Sequence, residues 1–120
     1  MADTIRGGLG NDTIYGDGGN DNIDGQKDND FVYGGDENDV ITDSSGDDFI
    51  RGEGSNDNIN GGVGLDTLYG GDGVDVMHGG SGADLMDGGE GDDQLFGGQD
   101  DDTILGGLGI GYHRWRNRCR

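Results

Sequence analysis

The chain has 120 residues, the length of one small domain, with 30 glycines, no proline and only 28% apolar residues. Glycine at that level without proline excludes collagen, and a charge of −19, from 26 acidic and 7 basic residues, excludes nucleic acid and anionic membranes as partners, because both demand a basic surface. The acidity points to cations instead, and without a counter-charge this composition is that of a disordered polypeptide.

At the N-terminus, Met1-Ala2-Asp3-Thr4-Ile5-Arg6 has neither a basic nor an apolar leader region, so no Sec-type signal is expected. No stretch approaches the roughly 18 consecutive apolar residues of a membrane span. Asp3 and Ile5 belong to a partial unit, which makes the chain look like a segment cut from a longer protein. From Gly7 onward the sequence runs in nines without a slip. Gly7 to Tyr15 reads GGLGNDTIY, Gly61 to Tyr69 GGVGLDTLY, Gly70 to His78 GGDGVDVMH and Gly88 to Phe96 GGEGDDQLF.

Aspartate holds the sixth place in Asp12, Asp21, Asp30, Asp39, Asp48, Asp57, Asp66, Asp75, Asp84, Asp93 and Asp102. Two places later an apolar residue recurs, in Ile5, Ile14, Ile23, Val32, Ile41, Ile50, Ile59, Leu68, Met77, Met86, Leu95 and Ile104. Glycine opens eleven of twelve units, Asp43 being the exception. A flexible Gly/Asp linker has no reason to keep these offsets.

The residue types of one unit define its shape. Glycines at places one, two and four supply the positive φ that a tight turn needs. Places seven to nine, as in Thr13-Ile14-Tyr15, are strand formers whose central side chain points opposite to its neighbours. Turn, strand, turn, strand is a coil. Two units per coil predict an all-β solenoid with parallel strands stacked about 4.8 Å apart and one aliphatic ladder on each side.

Departures cluster in the middle and near the end. Place four is Asp28, Glu37, Ser55 or Asp100 and Asp43 replaces a leading glycine, and the extra acids among them, Asp28, Glu37, Asp43 and Asp100, read as solvation of the turns. Units from Gly61 to Phe96 keep the pattern, so the strongest sites are expected there. Gly106 to Arg114 keeps its glycines and loses the aspartate, and Trp115-Arg116-Asn117-Arg118-Cys119-Arg120 is basic. This divides the chain into a roll over 1–111 and a basic tail or partial cap over 112–120. The lone Cys119 cannot form an internal disulfide.

These units resemble the repeats-in-toxin (RTX) nonapeptide GGxGxDxUx, the repeat of hemolysin-type toxins and serralysin-like proteases, and repetition in one frame makes so short a motif specific. The resemblance covers about residues 2–110 and implies a parallel β-roll, a right-handed β-solenoid with 18 residues per coil. It further implies Ca2+ as cofactor, held between each unit and the next but one. The implied ligands are the aspartates of both turns, the carbonyls of places two and four in the first turn, and those of places one and three in the second. Gly62, Gly64 and Asp66 would thus face Gly79, Ser81 and Asp84. The same rule takes in Gly8, Gly10, Gly70, Gly71, Gly73, Gly80, Gly82, Gly88, Gly89 and Gly91. Eleven full units contain nine same-side junctions, and nine divalent ions carry +18 against the −19 of the chain.

The resemblance also implies secretion from a bacterium, with the chain disordered at low calcium and folding outside the cell. The thin apolar ladder agrees, because its burial is small beside the cost of ordering the backbone. A roll with open ends is expected to associate end to end in calcium. No HExxH, GxSxG or Cys/His arrangement accompanies His78 and His113, so a non-enzymatic module is expected. The alternative is an ice-binding or carbohydrate-binding face. Place five begins with Asn11, Asn20, Asn29 and Asn38, then Asp47 and Asn56, but turns apolar at Leu65, Val74 and Ala83.

Overall fold

Every strand begins at the seventh place of a unit, where the β-forming residues start. In the computed structural model, which describes residues 1–107, 109 and 112–114, these strands are β1 (Thr4–Gly8), β2 (Thr13–Tyr15), β3 (Asn22–Gln26), β4 (Phe31–Gly35), β5 (Val40–Thr42), β6 (Phe49–Gly54) and β7 (Asn58–Val63). They continue as β8 (Thr67–Asp72), β9 (Val76–Ser81), β10 (Leu85–Glu90), β11 (Gln94–Gln99), β12 (Thr103–Leu105) and β13 (Tyr112–Arg114). Odd-numbered strands form one parallel sheet in the order β1-β3-β5-β7-β9-β11-β13, and even-numbered strands form the other in the order β2-β4-β6-β8-β10-β12. The register advances by one coil throughout: Thr4 lies beside Asn22, Ile50 beside Leu68, and Met86 beside Ile104. The fold is therefore the β-solenoid that the period predicts, about six coils of 18 residues.

Alternation decides which side chains enter the interior. In β2 the burial runs exposed, buried, exposed over Thr13, Ile14 and Tyr15. Ile23, Val32, Ile41, Ile50, Ile59, Leu68, Met77, Met86 and Leu95 are fully buried, and Ile5 packs half-buried at the open end. Each ladder places a side chain on its counterpart one coil away, so the core is two single files rather than a three-dimensional mass.

Most strands extend past the expected three residues into the opening glycines of the next unit. Gly62 pairs with Gly80 and Val63 with Ser81, so the turn backbone stacks in the same parallel register as the strand. β5 is a departure, stopping at Thr42 immediately before Asp43. Outside, the even-numbered sheet carries aromatic neighbours: Tyr15 stacks on Tyr33 with centroids 5.0 Å apart, and Phe49 lies 5.5 Å from Tyr69. Residues 115–120, with Cys119 and three arginines, lie outside the described residues, and no described helix is long and apolar enough to cross a membrane.

Candidate metal centres

The sixth-place aspartates form a rank inside each turn stack. From Asp21 to Asp93 they are no more than 2% exposed, while Asp12 and Asp102 at the ends are half-buried. Their orientation comes from the backbone one coil earlier. The N–H of Asp48 donates to Oδ1 of Asp66 at 3.0 Å, and the N–H of Asp66 donates to Oδ1 of Asp84 at 2.9 Å. The same bond links Asp3 to Asp21, Asp12 to Asp30, Asp21 to Asp39, Asp39 to Asp57, Asp75 to Asp93 and Asp84 to Asp102.

One carboxylate oxygen is thereby satisfied and the other is not. Oδ2 is buried without a hydrogen-bond partner in Asp12, Asp21, Asp30, Asp39, Asp48, Asp57, Asp66, Asp75, Asp84 and Asp93. Buried acceptors in folded proteins are almost always partnered, and an uncompensated buried carboxylate costs several kcal/mol. A whole rank of them leaves a row of buried carboxylate oxygens without compensation.

The opening glycine makes room for this pattern. A Cβ placed on Gly61 would lie 2.6 Å from Oδ2 of Asp66 and 2.9 Å from the carbonyl oxygen of Gly79. At Gly7 the corresponding distances are 2.9 Å to Asp12 Oδ2 and 2.7 Å to Gly25 O, and at Gly34 they are 2.5 Å to Asp39 Oδ2 and 2.8 Å to Gly52 O. A carboxylate oxygen without a hydrogen-bond donor and a backbone carbonyl oxygen thus converge where a side chain is missing. The expectation of positive φ at place one is corrected by this geometry: Gly61, Gly70, Gly79 and Gly88 have ordinary φ and are glycine for space, whereas Gly62 (φ 93°) and Gly64 (φ 143°) are glycine for conformation. Positive φ persists where the turn lacks glycine, at Asp28, Glu37, Ser55 and Asp100 in place four and at Asp17, Gln26 and Glu53 in place two.

The other carbonyls take fixed directions. Those of Gly62 and Gly64 point forward to Gly80 and Gly82 of the next turn on the same side. Gly71, likewise, faces Gly89, and Gly73 faces Gly91. Place-one carbonyls point backward, as Gly79 does to Gly61 and Gly88 to Gly70, and the place-three carbonyl of Ser81 accepts the Gly64 N–H at 2.8 Å. Gly8 and Gly10 occupy the same places in the first turn, with φ 106° and 97°. The structure therefore brings Gly62, Gly64 and Asp66 opposite Gly79, Ser81 and Asp84 across one junction.

Burial of these carboxylates acts on their proton affinity. Desolvation, reinforced by the neighbouring aspartates and opposed by the backbone N–H, pushes Asp57 and Asp66 up to about 7 and Asp75 and Asp84 up to about 6. Asp30, Asp39, Asp48 and Asp102 are raised for the same first reason. A hard divalent cation reverses that balance, because it prefers carboxylate and carbonyl oxygens and compensates their charge. The donor set, all oxygen with no nitrogen or sulfur, fits such an ion.

The family model for the RTX calcium-binding nonapeptide repeat matches the chain four times, over residues 1–32, 33–68, 55–86 and 78–112. The chain belongs to the RTX calcium-binding repeat family. Neither the search of curated proteins nor that of solved structures returned a match. The RTX roll is a structural calcium-binding module, and its regularly spaced aspartates are the acidic residues of that repeat.

Two features of this RTX roll were not evident from the period alone. Place-five amides cap the next coil: Oδ1 of Asn11 accepts the N–H of Asn29 at 3.0 Å, that of Asn20 the N–H of Asn38 at 3.1 Å, and that of Asn56 the N–H of Val74 at 2.8 Å. The recurrence of Asn at a fixed offset was the available signal. The second is Asp43, which stands where other units have glycine and is only 6% exposed. It is therefore not a solvating acid of the turn. A side chain at place one has only the interior to enter. His78, by contrast, is an exposed residue stacked on Phe96 at 4.8 Å.

Proposed function

We propose that this chain is a calcium-responsive folding module of a secreted bacterial protein, disordered without Ca2+ and assembled by it. The observation that carries the reading is the rank of buried Oδ2 atoms without partners. A metal-free roll must either bury uncompensated charge or protonate its aspartates, and the unfolded chain does neither. Calcium shifts the balance because it binds the folded form alone. The residues that would hold it are the aspartates from Asp12 to Asp102 with the place-one to place-four carbonyls described above, in nine junctions between turns on the same side.

Secretion suits this chemistry. Cytosolic calcium is too scarce to fill weak sites, whereas extracellular calcium modules work at dissociation constants of about 10⁻⁴ to 10⁻³ M. Disorder at low calcium keeps the chain extended for export. The role is structural rather than enzymatic.

Calcium-titrated circular dichroism tests the reading. A cooperative coil-to-β transition is expected at millimolar calcium, with magnesium substituting poorly because it requires a tighter octahedron. A far-ultraviolet spectrum unchanged by calcium overturns it.

A second reading, a carbohydrate-binding outer face, draws on the aromatic surface formed by Tyr15, Phe31, Tyr33, Phe49 and Tyr69. Ice binding has less support, since the Asn rank it would use is engaged in capping the coils. Polysaccharide retention of the calcium-loaded chain tests the first, and thermal hysteresis the second.

A further inference from the structure

The turn that opens with Asp43 has a different interior from the others. Asp43 turns its carboxylate back toward the preceding turn on the same side, where its Oδ2 occupies the space that a Cβ on Gly25 would fill, with Asp30 Oδ2 2.8 Å from that point. At Gly7, Gly34 and Gly61 the equivalent neighbour is a backbone carbonyl oxygen. An anionic oxygen has replaced a neutral one.

The backbone has adapted to this exchange. The carbonyl of Asp43 faces forward, 2.5 Å from the position of a Cβ on Gly62, with Ser44 O at 2.9 Å from the same point. The Ser44 N–H donates to Asp43 Oδ1 at 2.7 Å and leaves Oδ2 directed into the junction. Ser44 also escapes the positive φ that Glu53 and Gln26 adopt at place two.

Three carboxylates now meet. Oxygens of Asp30, Asp43 and Asp48 lie within 4.8 Å of one another, and the three side chains are 1%, 6% and 2% exposed. Each has a buried Oδ2 without a hydrogen-bond partner. Oxygens bound to one calcium at about 2.4 Å are separated by up to about 4.8 Å, so the cluster has the size of a single coordination shell.

The geometry points to a non-equivalent cation site at Asp30, Asp43 and Asp48, carrying one carboxylate more than the regular junctions and taking the first ion the roll binds. The inference rests on the reading that these junctions hold calcium. It reverses the expectation that the strongest sites lie in the units from Gly61 to Phe96. Added carboxylate charge raises the affinity of an oxygen site for hard cations, and it does so most for trivalent ones. The turn is placed to start assembly, because it lies in the middle of the roll with coils on both sides.

The test uses the full chain, its Asp43→Asn variant and its Asp43→Gly variant, each titrated with calcium chloride in a calorimeter and by circular dichroism. The calcium midpoint of folding is expected to be several-fold lower for the unsubstituted chain than for either variant. Lanthanum chloride should displace this first calcium at a lower concentration from the unsubstituted chain than from Asp43→Asn. Asp43→Gly restores the common turn residue, so it decides the matter should Asp43→Asn not fold. Calcium midpoints equal in all three chains overturn this inference while leaving the calcium reading intact. Absence of calcium binding in all three overturns both.

Discussion

The backbone N–H of Asp57 donates to Oδ1 of Asp75, 18 residues away, at 2.8 Å, while Oδ2 of Asp75 is buried without a hydrogen-bond partner. One carboxylate thus does two things: it ties a coil to its predecessor and offers a free oxygen to the junction. Asp75→Ala removes both, and Asp75→Asn removes the charge while keeping an acceptor for Asp57. The calcium midpoint measured by circular dichroism is expected to rise in both variants, further in Asp75→Ala.

Position within the roll should modulate that effect. Asp39 has the same contact, accepting from Asp21 at 2.8 Å, but its unit carries Glu37 at φ 77° and its predecessor carries Asp17 at φ 70°. Strained turns of this kind cost of order 1 kcal/mol each. Asp39→Ala should therefore shift the calcium midpoint less than Asp75→Ala, since less cooperative stacking is lost. Equal shifts would show that all turns contribute alike.

Space at place one is a separate requirement. Gly61→Ala puts a methyl group 2.6 Å from Asp66 Oδ2 and 2.9 Å from Gly79 O, whereas at Gly54 the nearest atom to such a methyl is Gly35 O at 3.7 Å. Gly61→Ala is expected to raise the calcium midpoint several-fold and Gly54→Ala to leave it nearly unchanged. Paired calcium titrations of the two variants check this.

Protonation competes with calcium. Unfolded aspartates titrate near 3.8, while in the metal-free roll Asp57 and Asp66 are raised to about 7 and Asp75 and Asp84 to about 6. A raised folded value means the roll holds these protons more tightly than the unfolded chain. That contribution to stability is complete below about pH 3.8 and is lost as pH rises through about 6 to 7. In a chelator, β-structure should therefore increase on acidification. In calcium the midpoint should rise as pH falls, because protons occupy the same oxygens; a midpoint independent of pH between about 5 and 8 overturns this account.

The first coil carries strand edges that no described strand covers. β1 and β2 are the first strands of their sheets and pair on one side only, and Ile5 is half-buried beside them. End-to-end association in calcium is expected from light scattering of the full chain. Ile5→Lys should suppress it and move the calcium midpoint less than Ile23→Lys, whose site is fully buried.

What the sequence determined by itself was everything that repeats every nine residues: the strand starts, the inward aliphatic file from Ile5 to Ile104, the aspartate rank and the coil of two units. Those features follow from side-chain type and period, which are local. The tertiary structure decided what passes between units 18 residues apart. It directed Oδ1 of each rank aspartate from Asp21 to Asp93 to a backbone N–H and left Oδ2 unpartnered, it made Gly61 a requirement of volume rather than of φ, and it turned Asn11 into a cap for Asn29. Asp43 illustrates the division most sharply. From the sequence it is a broken repeat, but stacking closes off the solvent side and drives its carboxylate onto Asp30 and Asp48, because a Cβ at place one has no outward direction to take.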